Sequence, residues 1–137
     1  MSPEFSAGGV VIDDAGRTVV IVPTRRAADD SKVLALPKGH PDGDESAPQA
    51  AQREIREETG VEAELVERLG DVRYWYQRDG QRVPKVVSFF LFRYVRGNPE
   101  DHDHEVEEAR WMDLAEAAQA LTYAGERDMA ARALARR

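Results

Sequence analysis

Cysteine is absent from this 137-residue chain, and lysine is scarce, with three residues against 16 arginines. Without cysteine there is no disulfide framework, no thiolate zinc site and no cysteine nucleophile. No apolar run approaches the ~20 residues with which a helix crosses a bilayer, so no membrane association is expected. Positive charge is also short: 19 Lys+Arg stand against 26 Asp+Glu, a net charge of −7. That balance argues against broad binding to nucleic acid, which needs a positive surface. An acidic protein can still act on phosphates when a divalent cation intervenes. Residues 1–7 carry no basic stretch followed by an apolar one, so a secretory leader is not expected and a cytoplasmic location is.

Hydrophobic residues make up 42% and charged residues 33%, which fits a folded domain rather than a disordered chain. Gly8–Ile12 and Thr18–Val22 read as strands around the turn Asp13–Gly16. Arg25–Lys32 is a polar loop, and Val33–Leu36 a short apolar run. Pro37–Pro48, with three prolines and two glycines, reads as a long loop of the kind that is usually functional. A helix is predicted over Ala47–Thr59, with Ser46 as its N-cap and Gly60 as its stop. Val61–Gln77 holds one or two strands, Val83–Val95 a long one, and Ala109–Leu114 a last one around Trp111. The tail from Ala115 is helical, with a break expected near Gly125. Strands interleaved with helices make residues 1–137 a single α/β domain.

The predicted helix carries an unusual pattern. At about 100° per residue, Glu54, Glu57 and Glu58 share an arc with Ala47, Ala50, Ala51 and Ile55. Gln49, Gln52, Arg56 and Thr59 take the opposite side. An ordinary amphipathic helix keeps its carboxylates on the hydrated face. Burying them unpaired costs several kcal/mol each, so the arc calls for a compensating positive charge. Arginines are one compensator. A divalent cation is the other, because clustered carboxylates and carbonyls are its usual ligands, and Mg²⁺ or Mn²⁺ suits an all-oxygen site better than zinc.

Residues 39–61 read Gly39, Glu45, then Arg53-Glu54-Ile55-Arg56-Glu57-Glu58-Thr59-Gly60-Val61. They match the pattern G-x5-E-x7-R-E-U-x-E-E-x-G-U at every fixed position, and on this stretch the chain resembles the Nudix hydrolases. Ala7-Gly8-Gly9, Leu36-Pro37-Lys38-Gly39 and Arg110-Trp111 resemble the family's surroundings of that box. The resemblance implies an α/β/α sandwich around a central mixed sheet, which cleaves a pyrophosphate link in nucleoside diphosphate-linked compounds. It implies Glu54, Glu57 and Glu58 as metal ligands with the Gly39 carbonyl. Arg53 and Glu45 would brace the loop–helix geometry, and either Glu57 or Glu54 would be the general base.

The acidic run Asp101–Glu108 reads mostly as a solvated loop, with His102 and His104 as loop residues. Glu105 resembles a family glutamate that approaches the metal from this position. Further stretches resemble the diadenosine polyphosphate hydrolases: Leu36-Pro37-Lys38-Gly39-His40, Tyr76, Lys85–Leu91 and Leu121-Thr122-Tyr123. That likeness implies phosphate contacts from Lys38 and Lys85, with His40 lining the loop nearby, and an adenine flanked by Tyr76 and Tyr123. Lysines act as point charges for phosphate, and aromatic faces stack bases. The substrate expected is a dinucleoside polyphosphate. The alternatives are nucleoside triphosphates, including oxidised ones, or a catalytically silent nucleotide-sensing module, against which the intact glutamates argue. A monomer or homodimer is expected.

Overall fold

The computed structural model describes residues 2–137. The described residues form six strands, three α-helices and one short 3-10 turn: β1 Glu4–Ile12, β2 Arg17–Pro23, β3 Lys38–Gly39, α1 Ala47–Thr59, β4 Val61–Arg78, β5 Gln81–Gly97, the turn Pro99–Asp101, β6 Val106–Asp113, α2 Leu114–Ala120 and α3 Ala124–Ala135. The four-stranded sheet runs β3-β1-β5-β4, and β2 pairs with β6 in a second, two-stranded sheet. β1 lies parallel to β5 and antiparallel to β3, and β4 lies antiparallel to β5. The larger sheet is therefore mixed, as expected.

Alternation along the central strands separates two apolar layers, since successive side chains of a strand point to opposite faces. Ala7 and Val11 of β1 join Phe90 and Phe92 of β5 against Ala50, Ala51 and Ile55 of α1. Val10, Val87, Phe89 and Leu91 face the other way, against Leu114 and Ala117 of α2 and Met129, Ala130 and Ala133 of α3. One helix covers one face and two cover the other. Among the described residues, no helix is long and apolar enough to cross a membrane.

The boundaries of α1 follow from local chemistry. The Gln49 amide donates to Ser46 Oγ at 3.3 Å and the Ser46 amide to Gln49 Oε1 at 2.9 Å, a reciprocal capping box. At the other end Gly60 adopts φ 70°, and its amide closes on the Arg56 carbonyl. A side chain is strained in that left-handed conformation.

One detail differs from the sequence reading and two refine it. Lys38 and Gly39 are not loop but a two-residue strand opposite Gly8 and Ala7. β1 and β2, although joined by the Asp13–Gly16 turn, belong to different sheets. The break in the C-terminal tail falls at residues 121–123, and Gly125 lies inside α3. The Leu121 amide still closes on Ala117, while Thr122 leaves the helix to pair with Leu34.

Candidate active site

The face of α1 that carries Glu54, Glu57 and Glu58 meets the β3 edge of the sheet. Gly39 packs against the Glu54 side chain so closely that a Cβ there would overlap the carboxylate. The Lys38 amide, one residue earlier, donates to Glu58 Oε1 at 2.9 Å. The two-residue strand thus fixes both carboxylates relative to the sheet. The C-terminal end of α1 is tied down too, since the Asp103 amide donates to the Glu57 carbonyl at 3.0 Å.

Arg53 organises the same face. Its Nε and Nη2 donate to the two oxygens of Glu45 at 2.8 and 3.0 Å, and Nη2 also reaches the His40 carbonyl at 2.8 Å. Its Nη1 donates to Glu54 at 2.7 Å and to Glu57 at 2.9 Å. A planar guanidinium can hold this many fixed partners at once, which an ammonium cannot. Glu45 is held below the usual carboxylate range, chiefly by its hydrogen bond from Arg53. The Asp42 amide also donates to Glu45, so Glu45 is bonded both to Arg53 of α1 and to the loop before the helix.

The remaining carboxylates are under electrostatic pressure. Burial pushes Glu58 up to about 8, with the Lys38 amide opposing and the Glu54 charge adding to the rise. Burial also raises Glu54; Arg53 opposes that shift, and the charges of Glu57 and Glu105 reinforce it. This is crowded negative charge only partly neutralised by one arginine. Among the described residues, no three Asp, Glu or His side chains converge closely enough to enclose an ion. The donor set nevertheless fits a hard divalent cation: every donor is oxygen, and the absence of a side chain at Gly39 lets the Glu54 carboxylate lie directly against the backbone there.

Cationic and aromatic groups lie at the far end of β1 and on the β4–β5 hairpin. Lys85 stands opposite Glu4 in the sheet, its ammonium 4.0 Å from that carboxylate and 5.8 Å from the Tyr76 ring centroid. The Tyr76 hydroxyl donates to Glu4, and Arg78 donates to the hydroxyl. Burial lowers Lys85 to about 8, helped by the charges of Lys38, Arg78 and Arg25. Tyr123, 48% exposed, caps the start of α3. The His40 ring turns toward β1, where its Nδ1 lies 3.1 Å from the Phe5 carbonyl. Glu105 is exposed, and its backbone carbonyl accepts from the Thr24 amide.

One residue of this region escaped the sequence reading. Glu126 is 5% exposed, and it bonds the Leu36 amide at 2.7 Å and the Lys38 ammonium at 3.0 Å. Burial would lower the Lys38 pKa, but the charge and hydrogen bond of Glu126, with Tyr74 and Glu58 adding, together make the net shift upward. A signal was available. Glu126 falls three, four and seven residues before Met129, Ala130 and Ala133, on the apolar stripe of its own helix.

Comparison with known proteins agrees with this geometry. Residues 3–133 match the NUDIX domain family. The chain is 40% identical to MutT4 of Mycobacterium tuberculosis over 131 residues, 93% of this chain and 53% of that protein. It is 36% identical over 84 residues to the mouse bis(5'-nucleosyl)-tetraphosphatase [asymmetrical], covering 61% of this chain and 57% of that one. It therefore spans a little over half the length of these relatives. A NUDIX hydrolase from Nitrosomonas europaea superposes with a TM-score of 0.76 at 22% identity, over 98% of this chain and 90% of that one, and so shares the fold. With the box complete at residues 39–61 and the match running through both faces of the sheet, this chain belongs to the NUDIX domain family.

Proposed function

We propose that the protein is a divalent-metal-dependent hydrolase of phosphoanhydride bonds in nucleoside diphosphate-linked compounds, with dinucleoside polyphosphates such as diadenosine tetraphosphate as preferred substrates. The observation that carries the reading is the crowding of Glu54 and Glu58 against β3, where burial raises both pKa values. Such a site is stabilised by a cation and is otherwise costly. Glu54, Glu57, Glu58 and the Gly39 carbonyl would hold Mg²⁺ or Mn²⁺, with Glu105 as a further oxygen donor. When bound, the ion would neutralise phosphate charge and acidify a water molecule.

The chain's own groups do the rest. Glu57, with 41% of its side chain exposed against 16% for Glu54, is the base best placed to receive a proton from an attacking water. Glu54 is the second candidate, since a raised carboxylate pKa suits a base working near neutrality. The water oxygen bonds to phosphorus, the bridging P–O bond breaks, and the leaving phosphate departs as an anion. Arg53 and Glu45 keep the helix and loop in register during that step. Lys38 and Lys85 contact the outer phosphates, with His40 lining the loop beside them. Tyr76 and Tyr123 supply faces for a base. Likeness to the mouse tetraphosphatase supports this substrate class.

Likeness to the 8-oxo-(d)GTP phosphatase of Mycolicibacterium smegmatis, 37% identical over 93 residues, 68% of this chain and 27% of that protein, favours a second reading, a pyrophosphatase of nucleoside triphosphates that uses the same carboxylates. A screen of diadenosine tetraphosphate against the four deoxynucleoside triphosphates and their oxidised forms, with products identified, separates the two. Faster release of pyrophosphate from a triphosphate would move the assignment to the second reading.

A further inference from the structure

The extended segment 34–38 offers alternate backbone amides along one edge, and a side chain takes each of them. The Leu34 amide donates to Thr122 Oγ1 at 2.7 Å, Leu36 to Glu126 Oε1 at 2.7 Å, and Lys38 to Glu58 Oε1 at 2.9 Å. Thr122 and Glu126 flank the start of α3, whereas Glu58 belongs to α1. The strand that carries Lys38 and Gly39 is therefore held from both helical layers at once.

Glu126 differs from the other two because its second oxygen is also committed, to the Lys38 ammonium at 3.0 Å. Its neighbours on the buried face of α3 are Met129, Ala130 and Ala133, so an apolar residue would pack there without the cost of desolvating a charge. Both bonds of this buried carboxylate go to the Leu36–Lys38 stretch. An ammonium has three donors, so Lys38 keeps two for an anion while Glu126 holds the third. Glu58 already receives the Lys38 backbone amide.

Resting on the reading of Lys38 as a phosphate contact, we propose that Glu126 is a positioning residue. It fixes the Lys38 ammonium and the backbone leading to Gly39, and so sets where the outer phosphates of the substrate are gripped.

Two measurements test this. Lysine labelled with ¹³C at Cε gives only three sites in this chain. The two Cε protons of Lys38 should be inequivalent in the wild type, as in an immobilised side chain, and should collapse to one shift in Glu126→Gln. An unchanged pair in that variant would overturn the proposal, whatever substrate is cleaved. In diadenosine tetraphosphate hydrolysis, Glu126→Gln should raise KM roughly tenfold, the scale of one charge-assisted hydrogen bond, with kcat nearly unchanged and Tm lowered by loss of the buried pair. Lys38→Met should raise KM at least as far, and adding Glu126→Gln to it should change nothing further, because coupled residues are not additive. If the two effects multiply, Glu126 acts independently of Lys38 and the coupling is wrong. If Lys38→Met alone keeps the wild-type KM, the phosphate reading fails and takes the KM consequence with it. Should Glu126→Gln not fold, Lys38→Met and Lys38→Met/Glu126→Met allow the same comparison: equal KM supports the coupling and a further rise overturns it.

Discussion

The carboxylate of Glu54 occupies the space that a Cβ on Gly39 would need. The contact joins β3 to α1 at the point where three glutamates gather, and the obstructing atoms are the far end of a flexible side chain. Gly39→Ala should therefore fold, because Glu54 can swing aside, yet it should lose activity because Glu54 has moved. We expect a fall in kcat of about 100-fold or more, the lower range for a displaced catalytic group, with Tm lowered by only a few degrees. A fully active Gly39→Ala protein would show that this contact is packing alone.

Arg53 joins Glu45, Glu54, Glu57 and the His40 carbonyl through one planar group. Lysine at this position keeps the charge but loses the fork. Arg53→Lys should lower kcat at least tenfold and also reduce thermal stability, since three partly buried carboxylates lose the fixed hydrogen bonds of the fork. Thermal unfolding and steady-state kinetics on the same preparation check both. Wild-type kcat in this variant would remove Arg53 from the site's framework.

Lys85 should give the enzyme a high-pH limb. Its ammonium titrates near pH 8 in the folded chain, lowered from the ordinary 10.5 first by burial and then by Lys38, Arg78 and Arg25. The pH profile of kcat/KM reports the free enzyme, so it should fall as pH rises through about 8. Lys85→Met should start lower and lack that limb. The sign for stability is the reverse, because the depressed pKa penalises the cation in the folded state. That penalty is full below pH 8 and fades between about 8 and 10.5. Lys85→Met should accordingly raise Tm at pH 7 and lose its advantage near pH 10.5.

Tyr123 is half exposed at the start of α3, and Tyr76 carries two cations near its ring. If they stack a base, Tyr76→Ala and Tyr123→Ala should each cost about 1–3 kcal/mol in kcat/KM on diadenosine tetraphosphate. Inorganic polyphosphate, which has no base, should be affected less. Equal losses on both substrates would remove the stacking role.

Local signals made much of this legible in the sequence. Ser46, Gln49 and Gly60 fixed the ends of α1 through hydrogen bonds within a few residues, and the expected span Ala47–Thr59 is the observed one. The carboxylate arc was legible because helical periodicity places side chains without reference to the rest of the fold. Lys38–Gly39 was not legible as a strand, because its partners Gly8 and Ala7 lie some thirty residues away and nothing local demands the pairing. A break near Gly125 was legible, but its position at residues 121–123 rests on the pairing of Thr122 with Leu34, a tertiary contact. Glu126 looks in the sequence like one more charge in an Ala/Arg-rich helix, although its spacing to Met129, Ala130 and Ala133 places it on the buried side.

The central claim is that the α1 carboxylates work through a divalent cation, and the most direct measurement is hydrolysis of diadenosine tetraphosphate by chelator-treated protein, before and after Mg²⁺ or Mn²⁺ is restored. The account predicts no turnover in EDTA and recovery with either ion. It predicts a Glu57→Gln protein that folds normally but stays at least ~100-fold slower at saturating metal. Full activity in EDTA, or a Glu57→Gln variant as fast as the wild type, would contradict it.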